Sequence, residues 1–247
     1  MPDTTPSLPG QSDLIVDVRD LRFAWPGEPP LLDIPAFQMG RGERVFLRGP
    51  SGSGKSTLLG LIAGVLAAEA GQIKVVGHDL QTLSGPARDR LRADHLGVVF
   101  QMFNLVPYLS VEQNIALPCR FSARRAQRVA AAGGLSETIH RLLSRLGLDE
   151  AGLSRRAVTD LSVGQQQRVA VARALIGEPD LIIADEPTSA LDSDTRDRFI
   201  ALLNEEVAAT GAALLFVSHD GTLASHFERA IDLGTLNRAR DEEGVAA

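Results

Sequence analysis

Apolar and polar residues alternate from Leu14 to Trp25, which is the pattern of a half-buried strand. Similar strand-like runs follow at residues 31–39, 44–48, 97–100, 181–184, 212–218 and 230–233. Helical patterns cover residues 55–68 and 193–209, and the glycines at 71, 77 and 85 are interpreted as turns between short strands. Strands that alternate with helices predict an α/β fold with a mainly parallel sheet, which binds ligands at the carboxyl ends of its strands.

Residues 110–176 have a different character and are expected to be mostly helical. A stripe of apolar residues at helical spacing indicates one amphipathic helix, which Gly147 ends; the stripe consists of Leu135, Ile139, Leu142, Leu143 and Leu146. We interpret this region as a helical subdomain, at about residues 108–176, inserted into the α/β core.

The 247 residues suit one large domain or two small lobes, and we assign residues 13–240 to a single domain. Residues 1–12 are rich in Pro, Ser, Thr and Gly and are expected to form a disordered tail, and residues 241–247 form a second tail. Neither an internal repeat nor a coiled-coil pattern is present in the sequence.

Composition excludes several classes of protein. The formal net charge of −6 disfavours non-specific binding of nucleic acid, and the single cysteine, Cys119, excludes an internal disulfide and a thiolate metal cluster. No apolar run reaches the roughly 20 residues of a membrane span, and the first residues lack the features of a secretory signal. The chain is therefore expected to be cytoplasmic, with any membrane association made through a partner.

A glycine-rich loop follows the strand at 44–48 and opens the helix at 55–68. Backbone N–H groups at a helix N-terminus bind phosphate well, and glycines let the backbone approach it closely. Lys55 is expected to reach the β- and γ-phosphates of a nucleotide, and the Ser56 hydroxyl to bind Mg²⁺. The predicted phosphate-binding residues are Gly49, Pro50, Ser51, Gly52, Ser53, Gly54, Lys55, Ser56 and Thr57. The loop alone does not choose between a kinase, a GTPase, a motor and a transporter.

Two carboxylates, Asp185 and Glu186, end the apolar strand at 181–184. Asp185 is expected to contact Mg²⁺, and Glu186 to polarise an attacking water molecule. An apolar strand that ends in such a pair is common in proteins, so the pair gains its meaning from the phosphate loop earlier in the chain.

The segment Leu161-Ser162-Val163-Gly164-Gln165-Gln166-Gln167-Arg168 resembles the signature motif of the ABC ATPase family. The resemblance implies that Ser162, Gly164 and Gln165 face ATP bound to a second copy of the chain, in a head-to-tail dimer that sandwiches two nucleotides. Val163 departs from the family pattern, in which glycine is commoner. We expect activity to survive this change because Ser162 and Gly164 remain.

Other motifs of the family appear in the same order. Gln101 matches the glutamine that contacts Mg²⁺ and the water, Asp192 lies in the loop that links the two sites, and His219 matches the histidine that contacts the γ-phosphate. Trp25 matches the aromatic residue on which adenine stacks, with a buried core tryptophan as the competing interpretation.

The resemblance therefore implies a P-loop NTPase with a mainly parallel sheet, an antiparallel β subdomain near the N-terminus and an inserted helical subdomain. The expected reaction is hydrolysis of ATP to ADP and phosphate. The cofactors are ATP and Mg²⁺, the catalytic residues are Lys55, Glu186 and His219, and the metal-binding residues are Ser56, Gln101 and Asp185.

The expected partners are a second copy of the chain and integral membrane permease subunits, which would hold the protein on the inner face of the cell membrane. The sequence is similar to the ATPases of macrolide-exporter and lipoprotein-releasing complexes. A groove for a partner helix is expected near Gln101, lined by Met102, Phe103, Leu105, Val106 and Tyr108.

Three other interpretations are compatible with parts of the sequence. An ABC ATPase of the cell-division type would act as a membrane scaffold or regulator without a transported substrate. A nucleic-acid-associated relative would need zinc-binding cysteines, long coiled coils or two tandem ATPase domains. A small-molecule kinase would lack the signature segment.

Overall fold

The computed structural model describes residues 13–189, 191 and 193–240, so the two predicted tails lie outside the described residues. The strands are β1 (Leu14–Ala24), β2 (Pro30–Gly40), β3 (Arg44–Arg48), β4 (Ala70–Val75), β5 (His78–Asp79), β6 (Leu96–Val99), β7 (Leu181–Asp185), β8 (Ala213–Ser218) and β9 (Arg229–Asp232). The α-helices are α1 (Lys55–Ile62), α2 (Gly85–His95), α3 (Val111–Phe121), α4 (Ala123–Ala131), α5 (Leu135–Arg145), α6 (Val163–Leu175), α7 (Ser193–Thr210) and α8 (Leu233–Leu236).

A parallel sheet forms the centre of the molecule, with the strand order β6-β7-β8-β3-β9. Strand β8 is buried along its whole length, because both faces of the sheet are covered. Side chains of β3 alternate between the two apolar clusters of the protein, with Phe46 in one and Val45 and Leu47 in the other. The predicted α/β class with a mainly parallel sheet is confirmed.

A second sheet has the order β2-β1-β4-β5 and is antiparallel throughout. It contributes Val18, Leu21 and Ile34 to the apolar cluster that also contains residues of α1. The expected antiparallel β region near the N-terminus is therefore present, and it packs on one face of the parallel sheet.

Helices α3 to α6 lie between β6 and β7 in the chain, in the region predicted to be helical. Ile139, Leu143 and Leu146 of the predicted apolar stripe are buried, whereas Leu135, at the first position of α5, is 40% exposed. The proposed subdomain bounds at about 108–176 remain a prediction.

Two sequence interpretations were wrong. Helix α1 ends at Ile62 rather than near Ala68, because Gly64 adopts a left-handed conformation and the amides of Gly64 and Val65 bond back to Leu61 and Gly60. The Gly85-Pro86 pair opens helix α2 instead of marking a turn between strands. Proline is tolerated in the first turn of a helix, where its missing N–H has no partner to lose.

Gly97 of β6 lets this strand approach α6 closely. A Cβ atom at this position would overlap the Ala174 carbonyl oxygen and lie 2.6 Å from Ile182 Cδ1. We expect Gly97→Ala to lower the free energy of unfolding by about 1–3 kcal/mol, because the backbone on the other side cannot move without strain. Urea denaturation measures this change.

Gly85→Ala is the matched control, because a Cβ atom there meets nothing within 4 Å. Its unfolding free energy should change by less than about 1 kcal/mol, since the higher helix propensity of alanine is opposed by Pro86, whose ring disfavours helical backbone at a preceding residue that carries a Cβ atom. Equal stability of the two variants would contradict the close approach at Gly97.

Candidate functional site

Four loops converge on one edge of the parallel sheet. They follow the neighbouring strands β6, β7, β8 and β3, whose carboxyl ends all point to this edge. Between them they carry Gln101, Glu186, His219 and the glycine-rich loop that begins at Gly49. A cavity of about 730 Å³ lies at this edge, lined by Leu31, Pro50, Ser51, Gly52, Ser53, Gly54, Lys55, Ser56, Thr57, Gln101, Glu186 and His219.

The glycine-rich loop runs from β3 into the N-terminus of α1. Gly54 has a φ of 94°, and a Cβ atom there would lie 2.8 Å from Leu32 Cδ2. Only glycine satisfies both constraints, because other residues are strained at this φ and would also collide with β2. The loop thus presents the positive end of α1 to the cavity, which suits a bound phosphate.

Lys55 is the cation of this cavity, although only 7% of its surface is exposed. Its Nζ donates hydrogen bonds to the carbonyl oxygens of Gly49, at 2.7 Å, and Pro50, at 3.0 Å. The same nitrogen lies 3.8 Å from Glu186 Oε1. The ammonium group is thus held between the loop and the acidic strand end, where an anionic ligand could replace its present contacts.

Ser56 and Asp185 form a pair that joins the loop to β7. The Ser56 hydroxyl donates a 3.0 Å hydrogen bond to Asp185 Oδ2. Burial raises the pKa of Asp185, an effect that the Ser56 hydrogen bond offsets only in part. Asp185 Oδ1 is buried and has no hydrogen-bond partner among the described residues. Such an unsatisfied carboxylate oxygen is suited to a cation.

Glu186 lies one residue beyond β7 in the left-handed conformation, with a φ of 46°. Its amide donates a 2.9 Å hydrogen bond to the Val217 carbonyl of β8, which fixes this strained backbone. His219 Nδ1 lies 2.9 Å from Glu186 Oε2, and the Ser218 hydroxyl donates to the same oxygen at 3.3 Å. Backbone strain that neighbouring contacts enforce is frequent at functional sites.

The predicted signature residues do not line this cavity. Ser162 is the N-cap of α6, and its side chain accepts a hydrogen bond from the Gln165 amide at 3.3 Å while Gln165 Oε1 accepts one from the Ser162 amide at 2.9 Å. The neighbouring Val163 side chain is 51% exposed. This helix N-terminus therefore lies outside the lining of the chain's own cavity.

Two further predicted nucleotide contacts have different outcomes. Trp25 is 40% exposed and stands edge-on to Phe23 at 5.1 Å, so the competing interpretation of a buried core tryptophan is wrong. Its side chain is also outside the lining of the cavity, and its contact with adenine stays a prediction. Asp192 lies outside the described residues.

Sequence reasoning missed two residues of the site. Leu31 lines the cavity, and Ser218 contacts Glu186. Leu31 had no signal beyond its place in an apolar run. Ser218 could have been found, because it ends the strand that precedes His219.

A separate groove of about 660 Å³ lies beside the Gln101 loop. Its apolar wall includes Phe100, Leu117, Pro118 and Phe121. None of Met102, Phe103, Leu105, Val106 and Tyr108 contributes to the surface of this cavity, so a partner groove lined by them stays a prediction. Phe103 packs into the core instead, with 9% of its surface exposed.

Among the helices of the described residues, none is both long enough and apolar enough to cross a bilayer.

The sequence of this chain matches the model of the family described as ABC transporter over residues 32–189. The lipoprotein-releasing system ATP-binding protein LolD of Anaeromyxobacter dehalogenans is 42% identical over 216 residues, which cover 87% of each protein. The macrolide export ATP-binding/permease protein MacB of Shigella flexneri is 35% identical over 223 residues, which cover 89% of this chain but 33% of MacB. The chain thus spans a third of the length of that relative.

Solved structures show the same fold. The dimeric ATP-binding cassette MJ0796 in a post-hydrolysis state, bound to ADP and phosphate, has a TM-score of 0.75 and is 31% identical, with 91% of this chain and 95% of the cassette covered. A second dimeric structure of MJ0796, described as a bacterial ABC transporter cassette, has a TM-score of 0.74 at 30% identity, with 89% and 95% covered.

Two aspartates, Asp180 immediately before β7 and Asp185 at its end, lie in opposite electrostatic environments. Burial alone would raise the pKa of Asp180, but the His95 hydrogen bond at 2.7 Å and the positive charge of Arg124 leave it lowered. Asp180 therefore stabilises the fold above pH 3.8, its ordinary pKa, and this contribution is lost as the pH falls through the lower folded value. Asp185, with its raised pKa, penalises folding when it is ionised.

We expect Asp185→Asn to leave the unfolding free energy of the nucleotide-free protein at pH 7 unchanged or raised. Asp180→Asn should lower it by about 1–3 kcal/mol, because His95 and Arg124 lose a charged partner. Urea denaturation of both variants at pH 7 and at pH values below 3.8 measures these effects, and the deficit of Asp180→Asn should shrink as the pH falls below 3.8 through the lower folded pKa of Asp180. A large loss of stability in Asp185→Asn would contradict this account.

Proposed function

Because this chain belongs to the ABC transporter family and is an ABC-type ATPase, we propose that its ATP hydrolysis drives conformational change in membrane permease subunits. One observation supports the catalytic part above all others. A single cavity brings the phosphate-binding loop together with Gln101, Glu186 and His219, which are far apart in the chain.

The triphosphate of ATP would bind across the N-terminus of α1. Backbone amides of residues 49–57 contact the phosphates, and Lys55 exchanges its hydrogen bonds to Gly49 and Pro50 for contacts with the β- and γ-phosphates. Trp25 stacks on the adenine, for which its 40% exposure supplies an accessible ring face.

The residues at the end of β7 fit a Mg²⁺ ion. The hydroxyl of Ser56 and the carboxylate of Asp185 are hard oxygen ligands that already lie within hydrogen-bond distance of each other, and Asp185 Oδ1 lacks a partner among the described residues. Ser56, Asp185 and Gln101 would hold the ion. When bound, Mg²⁺ neutralises charge on the phosphate oxygens.

The water that attacks the γ-phosphate would be oriented by Glu186. Its carboxylate borders the cavity, and the strained backbone at its Cα is fixed by the bond to Val217. His219, now in contact with Glu186, would hold the γ-phosphate, and Lys55 stabilises the negative charge of the transition state. Most of the catalysis then comes from positioning and charge stabilisation.

The second half of each site would come from another copy of the chain. Ser162, Gly164 and Gln165 lie outside the lining of the chain's own cavity, and the similar cassette MJ0796 is dimeric. A head-to-tail dimer lets the N-terminus of α6 face the γ-phosphate on the partner, with Asp192 in the loop that joins the two sites.

We expect Glu186→Gln to bind ATP with nearly unchanged affinity, to lose at least about 100-fold in turnover, and to accumulate an ATP-bound dimer. Phosphate release measures turnover, and size-exclusion chromatography with light scattering measures the dimer. Glu205→Gln, at an exposed position on α7, is the matched control and should behave like the native protein. Native turnover in Glu186→Gln would exclude Glu186 as the base.

The shared site has a specific consequence in the Glu186→Gln background. Adding Ser162→Arg should prevent the ATP-dependent dimer while a single chain still binds ATP, because Ser162 lies outside the chain's own cavity and the larger side chain stands on the face that meets the partner. The change also removes the N-cap of α6, so thermal denaturation checks that the variant is folded. Ser144→Arg, at an exposed position on α5, should leave the dimer intact. A dimer that tolerates Ser162→Arg would contradict the sandwich arrangement.

The membrane partner would dock in the groove beside the Gln101 loop. MacB is an ATP-binding/permease protein, and this chain matches only a part of it, which supports a permease region on the other side of an interface. LolD is the ATP-binding protein of a lipoprotein-releasing system and is matched over most of its length. We propose that this chain sits on the inner face of the cell membrane through such permease subunits.

Phe121 tests the groove, because its ring lines this surface and is 75% exposed. Affinity purification of the native protein from its own membranes in mild detergent should recover an integral membrane protein, identified by mass spectrometry. Phe121→Glu should lose this partner without affecting the ATPase activity of the isolated chain. Val65→Glu is the control and should still recover the partner, because Val65 is 66% exposed and lies outside the groove. If Phe121→Glu recovers as much of the membrane partner as the native protein does, the groove is excluded as its docking site.

A further inference from the structure

The segment after Gln101 has an unusual backbone. Phe103 and Asn104 are consecutive residues other than glycine with φ values of 57° and 48°. Side chains disfavour this left-handed region, so two such residues in sequence need contacts that hold them. Part of this support is the packing of Phe103 into the core.

Arg173, in the last turn of α6, supplies further support. Its two terminal nitrogens donate hydrogen bonds to the carbonyl oxygens of Phe103, at 2.6 Å, and Asn104, at 2.7 Å. The planar guanidinium group holds two acceptors in one fixed orientation, which the single ammonium group of lysine does not. These bonds attach the strained turn to α6.

The far end of the same loop is attached to a different helix. Asn114 of α3 is fully buried, accepts a 2.8 Å hydrogen bond from the Val106 amide and donates one to the Val106 carbonyl at 3.1 Å. Gln101 lies between β6 and the Val106–Asn114 hydrogen bonds, and its side chain lines the nucleotide cavity. No described residue forms a hydrogen bond with this side chain. The position of Gln101 therefore depends on the hydrogen bonds that Arg173 and Asn114 make to the rest of the loop.

We propose that Arg173 is a positioning residue that ties the Gln101 loop to α6 and thereby sets where Gln101 meets the nucleotide. One uninterrupted helix then connects Ser162 at its N-terminus with the turn that follows Gln101. A displacement of α6, when Ser162 engages ATP on a second copy, is transmitted to Gln101 of the same chain. This inference rests on the proposed role of Gln101 as a ligand of Mg²⁺ and the water.

The first test replaces Arg173 with methionine in the full chain. Arg173→Met should lower kcat by about tenfold or more, because a small displacement of a catalytic group has a large effect on rate. It should also raise the Mg²⁺ concentration needed for half-maximal turnover, with ATP affinity changed less than about twofold. Arg173→Lys should recover only part of the loss, since it keeps the charge but not the paired donors.

A measurement without nucleotide tests the hydrogen bonds of Arg173 to the loop independently of ATPase activity. Amide hydrogen exchange in residues 101–106 should be faster in Arg173→Met than in the native chain, because the turn loses its attachment. Arg120→Met is the matched control, since Arg120 is exposed on α3, lies outside the lining of the groove and makes no hydrogen bond to this loop. It should change neither the exchange rates nor kcat. Unchanged exchange in Arg173→Met would overturn the inference.

A double-mutant cycle then distinguishes positioning of Gln101 from a general structural role. If Arg173 acts through Gln101, Arg173→Met should cause no further loss of kcat in a Gln101→Ala chain. If the double variant loses kcat by the product of the two single-variant factors, the inference is overturned. If Arg173→Met does not fold, as judged by thermal denaturation, the cycle is carried out with Arg173→Lys.

The single variants also separate this inference from the proposed function. Native turnover in Gln101→Ala would refute the proposed role of Gln101, and the inference with it. Slow turnover in Gln101→Ala together with native kcat in Arg173→Met would refute the inference alone and leave the proposed function intact.

Discussion

Hydrogen bonding between parallel strands is the constraint on which the site depends. In the order β6-β7-β8-β3-β9, the strands that precede Gln101, Glu186, His219 and the glycine-rich loop are direct neighbours. Their common direction brings four loops, separated by long stretches of chain, to one edge. Because β3 and β8 are packed on both faces, a shift in their register would move side chains into the wrong apolar cluster, so the packing of the sheet also fixes the geometry of the site.

The polar groups at this edge are held in a compact arrangement. Lys55 is buried and donates hydrogen bonds to loop carbonyls, whereas burial raises the pKa of Asp185 and the Ser56 hydroxyl offsets this only in part. Glu186 holds a strained backbone and contacts His219. A site of this kind is costly to the folded protein, but it aims charge and hydrogen-bond donors at the place where phosphate and metal would bind.

The helices between β6 and β7 are attached to the sheet by arginines. Arg125 of α4 is fully buried and donates hydrogen bonds to carbonyl oxygens of Leu96 and Ile176, and burial lowers its pKa to about 10. Arg173 makes the corresponding connection from α6 to the Gln101 loop. Paired donors on a planar group give these contacts a defined orientation, so the helices and the catalytic edge are mechanically connected.

Local sequence determined much of this protein. The loop from Gly49 to Ser56 is recognisable because its glycines, lysine and serine are close together in the chain, and the apolar strand before Asp185 has a simple pattern. Only the tertiary structure decided where some elements begin and which distant residues line the cavity. The Gly85-Pro86 pair opens a helix because its context supplies a cap at Ser84, and Leu31 joins the cavity because β2 crosses the loop. The contacts of Arg173 and the burial of Phe103 depend on strands and helices that meet only when the chain folds, and such distant partners leave no signal in the spacing of residues along it.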